Sequence, residues 1–130
     1  MRLSYTILYV ADVNRSIRFY RQAFNLEHRF THESGDYAEM ETGNTILAFC
    51  DSKLAADIIK GEYIQSDPTK PPLGTQLTFE PEDVKQAFEN AVEYGAKVIT
   101  KPEIKPWSFA VAMLRDPDGH LVELARKVEE

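Results

Sequence analysis

WSFAVAMLRDPDGHLVELAR, residues 107–126, decides the fold. It reads as two strands folded back on each other through Asp116-Pro117-Asp118-Gly119. Asp suits the first position of a tight turn, Pro fixes φ at the second and Gly suits the fourth. Before the turn, Phe109, Val111 and Met113 share one face while Ala110, Ala112 and Leu114 share the other. After it, Leu121, Glu123 and Ala125 alternate with Val122, Leu124 and Arg126. Glu123 stands out as a carboxylate in a strand otherwise patterned for burial. A buried charge without a partner is costly, so Glu123 is expected to meet water in a cavity, a hydrogen-bond donor or a metal.

The rest of the chain narrows the setting. With 130 residues, 43% of them hydrophobic, it fits one compact domain, or two small halves sharing a core. The net charge is −6, with Lys and Arg scattered singly, so no nucleic-acid footprint is expected. No apolar run approaches the ~20 residues that span a bilayer, and no membrane partner is expected. The opening MRLSYTILYVAD reads as a first strand and not as a leader. Cys50 is the single cysteine, which rules out an internal disulfide and points to the cytoplasm.

Working back from the hairpin, the order of elements repeats. Residues 3–10 are a strand. Asp12 or Asn14 caps a helix whose stripe is Val13, Ile17, Tyr20 and Phe24, ended by Asn25. Strands follow at about 26–33, 36–42 and 44–50. Residues 52–74 read as a connector: a turn or two of helix over Leu54–Lys60, then too much Pro and Gly for regular structure. The pattern restarts with a strand at TQLTFE (75–80) and a helix beginning at Pro81-Glu82-Asp83. Its stripe is Val84, Phe88, Ala91 and Val92, and Gly95 ends it. A strand at 97–100, a Pro-containing connector and the hairpin complete the chain. The expectation is an α+β fold of two βαβββ modules, about 1–51 and 75–130, within one domain spanning 1–130.

The opening YTILYVADVNRSIRFYRQAFNLE (5–27) and the closing PWSFAVAMLRDPDGHLVEL (106–124) resemble the vicinal oxygen chelate superfamily. That superfamily includes glyoxalase I, extradiol dioxygenases, and fosfomycin- and bleomycin-resistance proteins. The resemblance implies paired modules forming a curled mixed sheet around a cleft, and a homodimer. It also implies metal-ligand positions at Tyr5, Ala48, Gln76 and Glu123, with Thr75 the neighbour of the third. Only Glu123 keeps the residue type of a metal-dependent member, because alanine offers no donor atom and a phenol is a weak ligand. No metal cofactor is therefore expected.

Glu123 is the candidate catalytic or anchoring group. Tyr5 and Gln76 are candidates for a polar spot beside it, since each both donates and accepts hydrogen bonds. Trp107 stands in the loop where the family carries Pro-Trp-Gly, here with Ser108 for the glycine, and is a candidate aromatic plate. Tyr9, Phe49 and Phe109 could extend that wall. His28 and His32 lie about 13 Å apart along a strand, too far to share an ion, and His120 is expected to face solvent. The leading reading is a metal-free module that binds a small aromatic or amphipathic molecule. One alternative is a lyase or isomerase of the glyoxalase type using nickel or zinc, with Glu39 or Glu41 replacing Ala48. The other is a dimerisation domain without chemistry.

Overall fold

In the computed structural model, which describes residues 1–129, local signals account for most element boundaries. Strand β1 (Tyr5–Val10) ends just before Asp12, whose carboxylate accepts the Arg15 backbone N–H at 3.1 Å and starts helix α1 (Val13–Phe24). Asn25 closes α1 in the left-handed conformation, with φ of 55°. Strands β2 (Glu27–Thr31), β3 (Tyr37–Glu41) and β4 (Ile46–Asp51) follow. Asp51 then caps helix α2 (Ser52–Ile59) through the Lys53 N–H. The connector thus holds eight helical residues, more than its Pro and Gly content suggested, because those breakers all lie after the helix.

The second repeat runs β5 (Gln76–Phe79), α3 (Val84–Glu93), β6 (Lys97–Ile104), β7 (Phe109–Arg115) and β8 (Leu121–Lys127). Asp83 caps α3 by accepting the Gln86 N–H, so Pro81 lies ahead of the helix and not in its first turn. At the other end Gly95 N–H bonds Val92 O and Ala96 N–H bonds Ala91 O, a Schellman closure. Strand β6 continues through Pro102, where a connector was expected. It is the outer strand of its sheet and carries two register shifts, so a missing N–H is tolerated there.

The chain divides into two compact units, Met1–Ser66 and Asp67 onward, each with its own four-stranded mixed sheet. The strand orders are β1-β4-β3-β2 and β5-β8-β7-β6, with β1/β4 and β5/β8 parallel and the other pairs antiparallel. In the first unit Leu47, Phe49, Ala38 and Met40 pack with Ile17 and Tyr20 of α1 in the buried core. In the second, Val122, Leu124, Ala112 and Leu114 are buried, as are Val84 and Ala91 of α3. Of these, Val122 and Leu124 on β8, and Ala112 and Leu114 on β7, are residues that two-residue alternation assigned to a shared face of their strand.

Both connections to β7 are hairpins of one design. Gly119 N–H bonds Asp116 O while Asp116 N–H bonds His120 O, and Ser108 N–H bonds Lys105 O while Lys105 N–H bonds Phe109 O. Each is a tight turn with Pro in second place and a left-handed residue in fourth: Gly119 at φ 91°, Ser108 at φ 65°. The Asp116 carboxylate accepts the N–H groups of Asp118 (3.0 Å) and His120 (2.9 Å). Arg115, only 4% exposed, clamps this end. Its Nε donates to Gly119 O (2.8 Å), Nη1 to Lys70 O (2.7 Å) and Nη2 to Asp67 O (3.0 Å). The 67–70 turn therefore lies against the hairpin, and His120 is buried, not solvent-facing as its place after a turn glycine suggested.

Two stability predictions follow from this clamp. A Cβ on Gly119 would stand 2.6 Å from Arg115 Nη2 and 2.9 Å from Pro68 backbone atoms, whereas one on Gly35, also at positive φ, meets nothing within 4 Å. Gly35→Ala should cost about 1 kcal/mol of conformational strain and Gly119→Ala ~3 kcal/mol or more, measured by urea unfolding. Arg115→Met, which leaves three carbonyls without their donor, should cost about 3 kcal/mol; a loss below ~1 kcal/mol would show that the clamp is dispensable.

Candidate functional site

The register of each sheet places its polar residues in rows on the face away from the buried core. In the second unit Thr78 of β5 lies opposite Glu123 of β8, and Glu123 lies opposite Met113 of β7. Gln76 Nε2 donates to Thr78 Oγ1 at 3.1 Å, and Thr78 Oγ1 donates to Glu123 Oε1 at 3.1 Å. Glu123 is half-buried, and among the described residues Oε2 has no hydrogen-bond partner. Phe109 and Val111 share this face, in register with Lys127 and Ala125. The acid singled out in the sequence thus sits on an apolar strip with one oxygen tethered and one available.

Thr78 was missed in the sequence. Alternation from Gln76 does place it on the same face, but only the parallel register with β8 sets it, and not Gln76, opposite the carboxylate. Gln76 reaches Glu123 through it.

The equivalent row in the first unit has a different chemistry. Ile7 of β1 pairs with Ala48 of β4, and Ala48 with Glu39 of β3. The repeat therefore matches Ile7 to Thr78, Ala48 to Glu123 and Glu39 to Met113. Here the carboxylate stands on the third strand of the module, not the last. Its side chain is 13% exposed. Tyr37 Oη donates to Glu39 Oε2 at 2.8 Å and Arg29 Nε to Oε1 at 3.2 Å, while Arg29 Nη1 reaches Glu41 Oε2 at 2.9 Å. Burial, reinforced by the Glu39 carboxylate, raises the Tyr37 phenol well above its ordinary pKa, so it remains a proton donor. Arg29 gets there through a register shift between His28 and Phe30, which lets β2 place an extra residue opposite β3. Nothing in the sequence announces that bulge.

The remaining candidates separate. Tyr5 (44% exposed) is on the same face of β1 as Ile7. Tyr9 packs edge-on against Tyr63, with ring centroids 5.0 Å apart. Phe49 is fully buried against Tyr20, at 5.1 Å, and belongs to the core. Its proposed place in a ligand wall is corrected by alternation, since it is one residue from Ala48 and points to the other face. Trp107 is 65% exposed in the β6–β7 hairpin and lines a surface cavity of about 820 Å³ with Glu80, Arg126 and Lys127. His28 Nε2 bonds Thr31 Oγ1 and His32 Nδ1 bonds Ser34 Oγ, each in its own local pair. Burial raises the Cys50 thiol pKa, followed in effect by the Asp36 and Asp51 carboxylates, which leaves it protonated and unreactive.

At the position equivalent to a family ligand in β4, Ala48 offers no donor atom, and each oxygen of the neighbouring Glu39 already accepts a hydrogen bond. Among the described residues no three His, Cys, Asp or Glu side chains converge as a metal site. No helix among them is long and apolar enough to cross a membrane.

Comparison with known proteins agrees with the two end motifs. The glyoxalase-like domain family matches residues 3–129. The uncharacterized protein YraH of Bacillus subtilis (strain 168) is 31% identical over 125 residues, covering 95% of this chain and 97% of that protein. A glyoxalase/bleomycin resistance protein/dioxygenase family enzyme from Burkholderia phytofirmans PsJN superposes with a TM-score of 0.84 at 19% identity, over 98% of this chain and 100% of that one. A glyoxalase-related enzyme from Fulvimarina pelagi gives 0.83 at 20%, over 96% and 87%. At those identities the two structures speak for the fold, the paired βαβββ arrangement read from the sequence. With the family matched from end to end and the fold shared, this chain belongs to the glyoxalase-like domain family.

Proposed function

We propose that the chain binds a small aromatic or amphipathic molecule without a metal, and that Glu123 anchors it. The observation that carries this reading is the Gln76–Thr78–Glu123 row: it holds one carboxylate oxygen and leaves the other without a hydrogen bond among the described residues, on the strand face shared with Met113, Val111 and Phe109 of β7. A carboxylate so presented accepts a hydrogen bond, which selects a ligand carrying an N–H or O–H donor and favours a cation over an anion. The flat apolar surroundings suit the rest of such a molecule. Replacement of a family ligand position by Ala48 supports binding without metal chemistry. We further propose that the protein works as a homodimer in the cytoplasm.

The test is a fluorescence titration with proflavine, a flat aromatic cation, on protein stripped of metals. Wild type should bind saturably, Glu123→Gln should weaken binding about tenfold, and Thr78→Val, which removes a neutral tether, only about threefold. Nickel or zinc should change none of these values. A tight nickel or zinc site that is lost in Glu123→Gln, with turnover of a methylglyoxal–glutathione adduct, would replace this reading by a metal-dependent lyase or isomerase. Native mass spectrometry of the same samples should show a dimer.

A further inference from the structure

We infer a second site, unconnected with Glu123, for an oxyanion of the phosphate class at the C-terminal end of α1. There Arg18, Arg21, Gln22 and Asn25 line an open bowl of about 760 Å³ together with Glu27 and His28 of β2. The left-handed Asn25 reverses the chain at the end of α1 and so brings the start of β2 back beside the arginines.

Three observations carry the assignment. Arg18 and Arg21 lie one helical turn apart, both exposed, and neither has a hydrogen bond or ion pair among the described residues. Arg29 of β2 is by contrast committed to Glu39 and Glu41. Second, the bowl is rich in donors: two guanidinium forks, the amide of Asn25, and an imidazole whose Nε2 is paired with Thr31. Third, its charge runs against that of the molecule. The two guanidinium groups outweigh the single Glu27 carboxylate by one positive charge, in a chain of net charge −6.

Arg21 also answers the negative end of the helix dipole, which accounts for one basic residue in the last turn. It does not account for Arg18 a turn earlier. The same dipole, equivalent to about half a negative charge, opposes an anion at this end. Affinity must then come from both forks acting on one group, as adjacent guanidinium groups do with phosphate oxygens. Loss of either arginine should remove most of it.

The experiment follows the arginine Nε–H and backbone N–H resonances of the full chain during titration with inorganic pyrophosphate, against sodium chloride at matched ionic strength. Pyrophosphate should shift Arg18, Arg21 and the 25–28 amides together and saturably, while chloride leaves them in place. Arg18→Gln and Arg21→Gln should each weaken the response about tenfold or more. Both side chains are exposed, so neither variant threatens the fold, and proflavine binding should be unchanged in both. Equal shifts with chloride, a response that survives either substitution, or shifts centred elsewhere would each overturn the assignment. Glycerol 1-phosphate and vesicles containing phosphatidylglycerol identify the source: saturation by the soluble ester supports a small phosphorylated ligand. Binding to vesicles with no response to pyrophosphate or the ester would overturn the site as drawn.

Discussion

A guanidinium buried in the second unit sets the frame for the residues that matter most. Arg115 ends β7 and satisfies three backbone carbonyls, one in the hairpin and two in the 67–70 turn. A buried charge survives only when its donors are used, and this one uses them to fasten a Pro-rich segment with little regular structure to the start of β8. The position of β8 fixes the register with β5, and that register makes Thr78, not Gln76, the partner of Glu123. The geometry of the candidate anchor is thus inherited from a polar contact several residues away that takes no part in binding.

The two repeats share strand order, ladder directions and helix placement, yet their equivalent rows have diverged. Ile7, Ala48 and Glu39 in one stand where Thr78, Glu123 and Met113 stand in the other. Each row keeps a single carboxylate but on a different strand, and each carboxylate has a different neighbourhood. Glu39 accepts a hydrogen bond on each oxygen, from Tyr37 and from Arg29, whereas Glu123 is tethered on one side only. Having the same residue type on the same face does not make the same site. The difference lies in how many of its lone pairs the protein itself consumes.

Much of this was legible in the chain. Alternation through 107–126 gave both faces of β7 and β8, and the Asp12 side-chain cap and the left-handed Asn25 bounded α1, because those signals act within a few residues. What escaped was set by contacts distant in sequence. His120 looked like a solvent-facing turn residue because the 67–70 segment that covers its hairpin is some 50 positions away. Phe49 looked like a cavity aromatic until its parity with Ala48 was settled by pairing. Arg29 reached Glu39 through a bulge in β2, a feature that single-residue alternation has no means of expressing.

The parallel pairing that closes each sheet also orders events in time. The β6–β7–β8 meander is joined by two short hairpins, which form on the microsecond scale. The β5–β8 ladder joins residues about 45 positions apart, such as Thr78 and Glu123, and must await closure of a long loop. The same holds for β1 and β4, with Ile7 meeting Ala48 only after the rest of its module is in place. In both units the outer parallel strand thus closes the longest loop of its sheet. The hydrogen-bonded row that holds Glu123 therefore rests on the pairing of greatest sequence separation in its sheet, and release of β5 would disarm it without breaking the β6–β7–β8 ladders.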